Sequence, residues 1–153
     1  MAKSHEQTVI EEATGLPESA CSCNRCQGAC HIIPCIGTPQ DILNLVNNGH
    51  TDKLIRTTWL AGVRVGMPPV EMIQIRYDHQ RRRCPMLTDQ GLCSLHQDGL
   101  KPLEGKLSSC YRPPGFDKSR PEPGQIIAAM WAEPYFQPTV RLIERALSLQ
   151  PRD

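Results

Sequence analysis

Cys21-Ser22-Cys23-Asn24-Arg25-Cys26-Gln27-Gly28-Ala29-Cys30-His31-Ile32-Ile33-Pro34-Cys35 places five thiols within fifteen residues. Three of them run Cys23-x2-Cys26-x3-Cys30, and the other three cysteines, Cys84, Cys93 and Cys110, lie far downstream. Thiolates at two- and three-residue spacing can turn onto one centre, which is how zinc and iron–sulfur sites are built. The competing reading is a disulfide framework, and the redox compartment decides between the two.

The N-terminal stretch mixes acids with apolar residues and has no apolar core segment, so it does not read as a secretory signal. The longest apolar run, Ile126 to Ala132, is too short to span a bilayer. A cytoplasmic chain without membrane spans is therefore expected, and in a reducing compartment clustered cysteines favour metal or redox chemistry. The net charge of +1 gives no general electrostatic hold on nucleic acid or anionic lipid. Fourteen prolines and eleven glycines against two Phe, three Tyr and two Trp point to many turns and a thin core. A metal acting as a staple would help such a chain hold together.

Working outward, residues 1–20 read as a flexible arm, with a short turn at Val9 to Glu12, and residues 21–150 as a single cysteine-cluster domain. Thr38-Pro39-Gln40-Asp41 is a helix start, with Thr38 as N-cap and Pro39 at the first helical position. Ile42, Leu45 and Val46 give the apolar stripe, and Asn48-Gly49 stops it. Thr51-Asp52 reads as the cap of a second helix carrying Leu54, Ile55 and Leu60 and ending near Gly62. Val70 to Tyr77 has an ambiguous period. Two short apolar pieces around Thr88-Asp89-Gln90-Gly91 suggest a hairpin with Cys84 and Cys93 on its arms. The C-terminal stretch predicts a helix from Gln125 to Ala132, an interruption at Pro134 and a second helix from Pro138 to Leu149. The expected fold is mainly α with irregular loops and a short β-hairpin, a small single domain organised around a Cys-ligated metal centre.

The gap between Cys23 and Cys26 lets two sulfurs reach one ion, and Gln27-Gly28-Ala29 gives a turn toward Cys30. Three local thiolates leave a tetrahedral ion one ligand short, and Cys84, Cys93 and Cys110 are the natural closers. The pattern resembles the CxxCxxCC-type cysteine-cluster family of zinc- or iron-chelating domain proteins. That family carries C-x2-C-x2-C-C near its N-terminus, then a C-x-hydrophobic and G-x-C-x-hydrophobic piece, then a last Cys after a basic-Pro segment. The counterparts are Cys23 to Cys30, then Cys84-Pro85-Met86-Leu87 with Gly91-Leu92-Cys93-Ser94-Leu95, then Lys101-Pro102 leading to Cys110. Pro39 to Leu45 resembles the short helix that follows the family's first cysteines. Ala29 stands where the family has the first Cys of its Cys-Cys pair, and the run from Pro102 to Cys110 is longer than usual. The resemblance spans residues 21–112 and implies metal binding without a settled reaction.

The site expected is therefore Cys23, Cys26, Cys30, Cys84, Cys93 and Cys110, with Cys21, Cys35, His31 and His96 as additional candidate ligands. The cofactor is zinc or iron, and six convergent thiols also allow an iron–sulfur cluster with an electron-transfer role. A third reading is a zinc-stapled protein-interaction module, with Arg81-Arg82-Arg83 and the aromatic C-terminal region as its surface. Those arginines abut Cys84, where positive charge would offset a multi-thiolate centre. Trp59, Trp131, Tyr135 and Phe136 read mainly as core. No triad, phosphate loop or paired-carboxylate site is visible, so the sequence offers no catalytic constellation.

Overall fold

Ser4 and Gly15 bracket the first helix in the computed structural model, which describes residues 3–18, 29–107 and 112–149, apart from the side chain of Cys30. Helix α1 spans His5–Thr14; the Ser4 hydroxyl accepts from Gln7 N, and the Gly15 amide donates to Glu11 O. Gly15 sits at φ 72, a left-handed conformation that glycine adopts without strain. This helix corrects the flexible arm expected over residues 1–20, because Ile10 and Leu16 are buried in the core and Thr14 is buried beside them. The inward stripe is only one side chain wide per turn, too narrow to register as a helical period.

Helix α2 spans Pro39–Asn47 and begins as its sequence dictates. Thr38 Oγ1 accepts from Asp41 N, and the Asp41 carboxylate accepts from Thr38 N, closing a reciprocal capping box. Ile42 and Leu45 are fully buried, and Asn48 caps the end before Gly49 turns left-handed at φ 84.

The next segment departs from its expectation. Thr51–Lys53 makes one 3-10 turn, and Leu54–Trp59 is then a strand, β1, rather than a helix running to Gly62. It pairs antiparallel with β2, Val70–Ile75, with Leu54 opposite Ile75 and Trp59 opposite Val70. Ile55, Thr57, Thr58 and Trp59 are β-branched or aromatic, and pairing with β2 lets that preference win over the helical cap signal. A 3-10 turn, Val63–Val65, lies in the connection.

The hairpin expected at Met86 to Leu95 is reduced to one isolated bridge, Leu87 to Cys93, after which Ser94–Gln97 forms the short helix α3. Helix α4 spans Leu103–Leu107. The C-terminal pair follows the sequence reading: α5 covers Pro123–Ala132, a 3-10 turn covers Pro134–Phe136, and α6 covers Gln137–Ser148. Among the described residues the fold is a small single domain of six α-helices and one two-stranded antiparallel sheet. Helix α5 is the hub: α1, α4 and β2 pack on it, while α2 packs on α6. Its Ile127, Ala128, Met130 and Trp131 are all buried, which explains why its apolar run is nearly continuous. No helix among the described residues is long and apolar enough to cross a membrane.

Candidate metal centre

Cys84 and Cys93 occupy the two arms of one tight turn. Leu87 N donates to Cys84 O at 3.1 Å, and Leu87 pairs with Cys93 in the isolated bridge. Ser94 N reaches Met86 O at 2.8 Å, and Thr88 N reaches Leu92 O at 2.7 Å. The Thr88 hydroxyl accepts from Leu92 N, and Gly91 takes φ 81 inside the loop. That positive φ is why the turn needs glycine there. Cys84 is 5% exposed and lies in the core with Met86 and Leu95, while Cys93 is partly buried against the same cluster. Both cysteines thus belong to one hydrogen-bonded loop that is backed by packed side chains.

The other sequence-selected residues divide sharply. Cys21, Cys23, Cys26 and Cys110 lie outside the described residues. Cys30 lies in the 3-10 turn Ala29–His31. The Tyr77 hydroxyl donates to His31 O at 3.0 Å, which ties this turn to the chain just beyond β2. His31 and His96 are both exposed, and His96 belongs to α3. Among the described residues, no three His, Cys, Asp or Glu side chains come together in a group that could hold a metal ion.

The basic run before Cys84 has a local use. Arg81 and Arg83 both donate to Asp89 Oδ1, at 2.7 and 2.6 Å, in the loop that Thr88 and Leu92 close. Asp78 pairs with Arg83 through two backbone hydrogen bonds, and its carboxylate caps Gln80 N and Arg81 N. Arg82 is pushed to φ 57 at the apex of this turn. Arg81 and Arg83 therefore brace the segment leading into Cys84 rather than forming an open basic patch. Among the described aromatic residues Trp131 and Phe136 are buried, Trp59 is half-buried, and Tyr135 stands exposed.

Cys35 is half-buried and lies where the side chains of Glu104, Trp131 and Asp41 pin the following backbone. Ile36 N donates to Glu104 Oε1 at 2.8 Å, Trp131 Nε1 donates to Gly37 O at 2.9 Å, and Thr38 N donates to Asp41 Oδ2 at 3.0 Å. The same Asp41 oxygen accepts from Leu103 N at 3.0 Å, joining the starts of α2 and α4. A Cβ on Gly105 would meet Cys35 Sγ at 3.0 Å, a tight contact, so glycine eases the close passage of this helix by the thiol. Burial pushes the Glu104 carboxyl above its ordinary range, against the opposing pull of the Ile36 amide. Burial also raises Asp41, against hydrogen bonds from Leu103 and Thr38.

These pinning residues escaped the sequence reading. Asp41 carried a signal, as the third helical residue of a capping box, but nothing local marks Glu104 or its distant partner. A surface groove of about 410 Å³ is lined by Arg112, Pro113, Phe116, Lys118 and Glu122, away from the cysteine turn. Among the described residues it is lined by no cysteine or histidine.

Compared with models of protein families, with curated proteins and with solved structures, the chain shows no match.

Proposed function

We propose that this chain binds zinc or iron through cysteine thiolates, at a site that is mainly structural or chelating. The ligand set is drawn from Cys23, Cys26, Cys30, Cys84, Cys93 and Cys110, with Cys21, Cys35, His31 and His96 as reserves. The observation that carries this reading is the turn that holds Cys84 and Cys93 on its two arms against the core. Soft donors delivered from a braced loop suit a thiophilic ion, because little chain entropy remains to be lost on binding. The resemblance to the CxxCxxCC-type family supports the same chemistry. A bound ion would couple to folding, since its ligands come from segments far apart in sequence.

Elemental analysis of anaerobically purified protein, read beside its absorption spectrum, tests this directly. A colourless protein with stoichiometric zinc, or one with mononuclear iron, is the expected result. A brown protein whose visible absorption bleaches on reduction would instead make it an iron–sulfur protein with an electron-transfer role. Protein with no metal and all eight thiols titratable overturns metal binding altogether.

A further inference from the structure

Strand β1 presents an open edge. It pairs with β2 alone in the two-stranded sheet, and β2 in turn packs on α5. Arg76 N donates to Lys53 O at 2.7 Å, which sets the alternation along the register from Leu54 opposite Ile75 to Trp59 opposite Val70. Ile55, Thr57 and Trp59 therefore turn their backbone groups toward β2, whereas Arg56 and Thr58 turn theirs outward. Among the described residues, no amide or carbonyl of Arg56 or Thr58 has a hydrogen-bond partner, and both residues are exposed.

An edge that stays solitary is usually guarded by lysine, proline, a bulge or a covering helix. Leu54–Trp59 contains no lysine, proline or glycine, and its residues pair with β2 in one unbroken register. Arg56 is its only charge. Ile55 is 41% exposed and Trp59 is half-buried, on the face of the strand that they share with Thr57.

This edge is complementary to itself. An antiparallel pairing of two β1 strands about a two-fold axis, with Thr57 opposite Thr57, sets Arg56 opposite Thr58 of the second copy. Those residues exchange both of their hydrogen bonds, so all four outward backbone groups of each strand gain a partner. On the other face, Ile55 meets Trp59 of the second copy, a β-branched residue against an aromatic one.

Charge selects the register. Arg56 and Glu71 make no ion pair among the described residues, and Glu71 accepts only from the Thr58 hydroxyl. Thr58 lies opposite Glu71 within one chain, so the pairing about Thr57 lines up Arg56, then Thr58 and Glu71 of the second copy, on one face. The arginine and that carboxylate are then two strand spacings apart, about 10 Å between backbones, with only the small threonine between them. Two long side chains bridge such a gap. Centring the pairing on Arg56 instead would set two arginines directly opposite, and centring it on Thr58 would carry Ile55 past the end of the partner strand. We infer that β1 pairs with β1 of a second copy of this chain, Thr57 against Thr57, to make a continuous four-stranded antiparallel sheet. This inference stands apart from the proposed metal centre and uses none of its residues.

The test is equilibrium sedimentation of the intact protein across a concentration series, under reductant so that thiol cross-links do not contribute. A reversible dimer is expected. Arg56→Glu and Glu71→Arg are both exposed changes, and each alone should weaken the dimer about tenfold or more by setting like charges together. The double variant restores opposite charges across the axis and should recover most of the lost affinity, which guards against misfolding of either single variant. A chain that remains monomeric at its highest soluble concentration overturns the inference and leaves the edge to an extended segment of another protein. A dimer that both single variants leave intact uses another surface and overturns it too. Failure of the double variant to recover the dimer overturns the pairing about Thr57.

Discussion

The carboxylate of Asp41 and the amide of Leu103 stand 62 positions apart in sequence and 3.0 Å apart in space. The same oxygen already accepts from Thr38 N, so one buried carboxylate caps α2 and fixes the start of α4. Asp41→Ala should therefore destabilise the fold by about 2–4 kcal/mol, since two buried amides lose their acceptor. Urea unfolding measures this directly. A loss below that of an ordinary surface substitution would show that Leu103 N finds another acceptor.

Glu104 predicts a pH dependence. Burial raises its carboxyl above the ordinary range, so the folded chain holds the proton more tightly than the unfolded chain does. The stability linked to this group is full below the unfolded pKa and is lost as pH rises through the higher folded value. Asp41 contributes in the same direction. Glu104→Gln should flatten that part of the pH profile while keeping an acceptor for Ile36 N. The quantity to measure is the difference between variant and parent across stepped pH, because other carboxylates cancel in it. A difference that stays constant with pH would remove Glu104 from the account.

Trp131 closes the same pin from a third direction, through Nε1 to Gly37 O. Trp131→Phe keeps most of the apolar bulk but leaves a buried carbonyl without its donor. A loss of about 1–3 kcal/mol is expected. Combined with Asp41→Ala, the effects should be less than additive, because both loosen residues 37–38.

At Gly62 the constraint is space. Its missing Cβ is filled by Met67 and Trp59, so Gly62→Ala must push one of them aside. The expected destabilisation is about 1–3 kcal/mol, with a change in Trp59 emission. An unaltered spectrum at reduced stability would place the strain elsewhere.

The metal reading predicts that Cys93→Ser lowers metal content and melting temperature together, whereas the parent protein loses the same stability when treated with a strong chelator. The chelator should add little further loss to the variant. A serine variant with full metal content removes Cys93 from the ligand set.

Much of the helical part was legible because its signals are local. Thr38, Pro39 and Asp41 lie within four positions, and the interruption at Pro134 separates α5 from α6 in the sequence itself. Residues 54–59 were misread because the cap at Thr51-Asp52 is local, while the partner strand that overrules it begins at Val70. Helix α1 was missed because two of its three buried residues, Gln7 and Thr14, are polar and leave no apolar stripe in the sequence. The cysteine turn was anticipated at Cys84 and Cys93, but its exit as α3 depends on packing of Leu95 that no spacing encodes. Glu104 could not be found from sequence, since its role is defined by an amide 68 positions away.

Synthesis runs from the N-terminus, and the bond from Trp131 to Gly37 O spans 94 positions. Every cysteine, including Cys110, has therefore been polymerised before the indole that secures Gly37 exists. A nascent chain halted before Trp131 lacks the donor for Gly37 O, so the segment that follows Cys35 is secured only once α5 has been made.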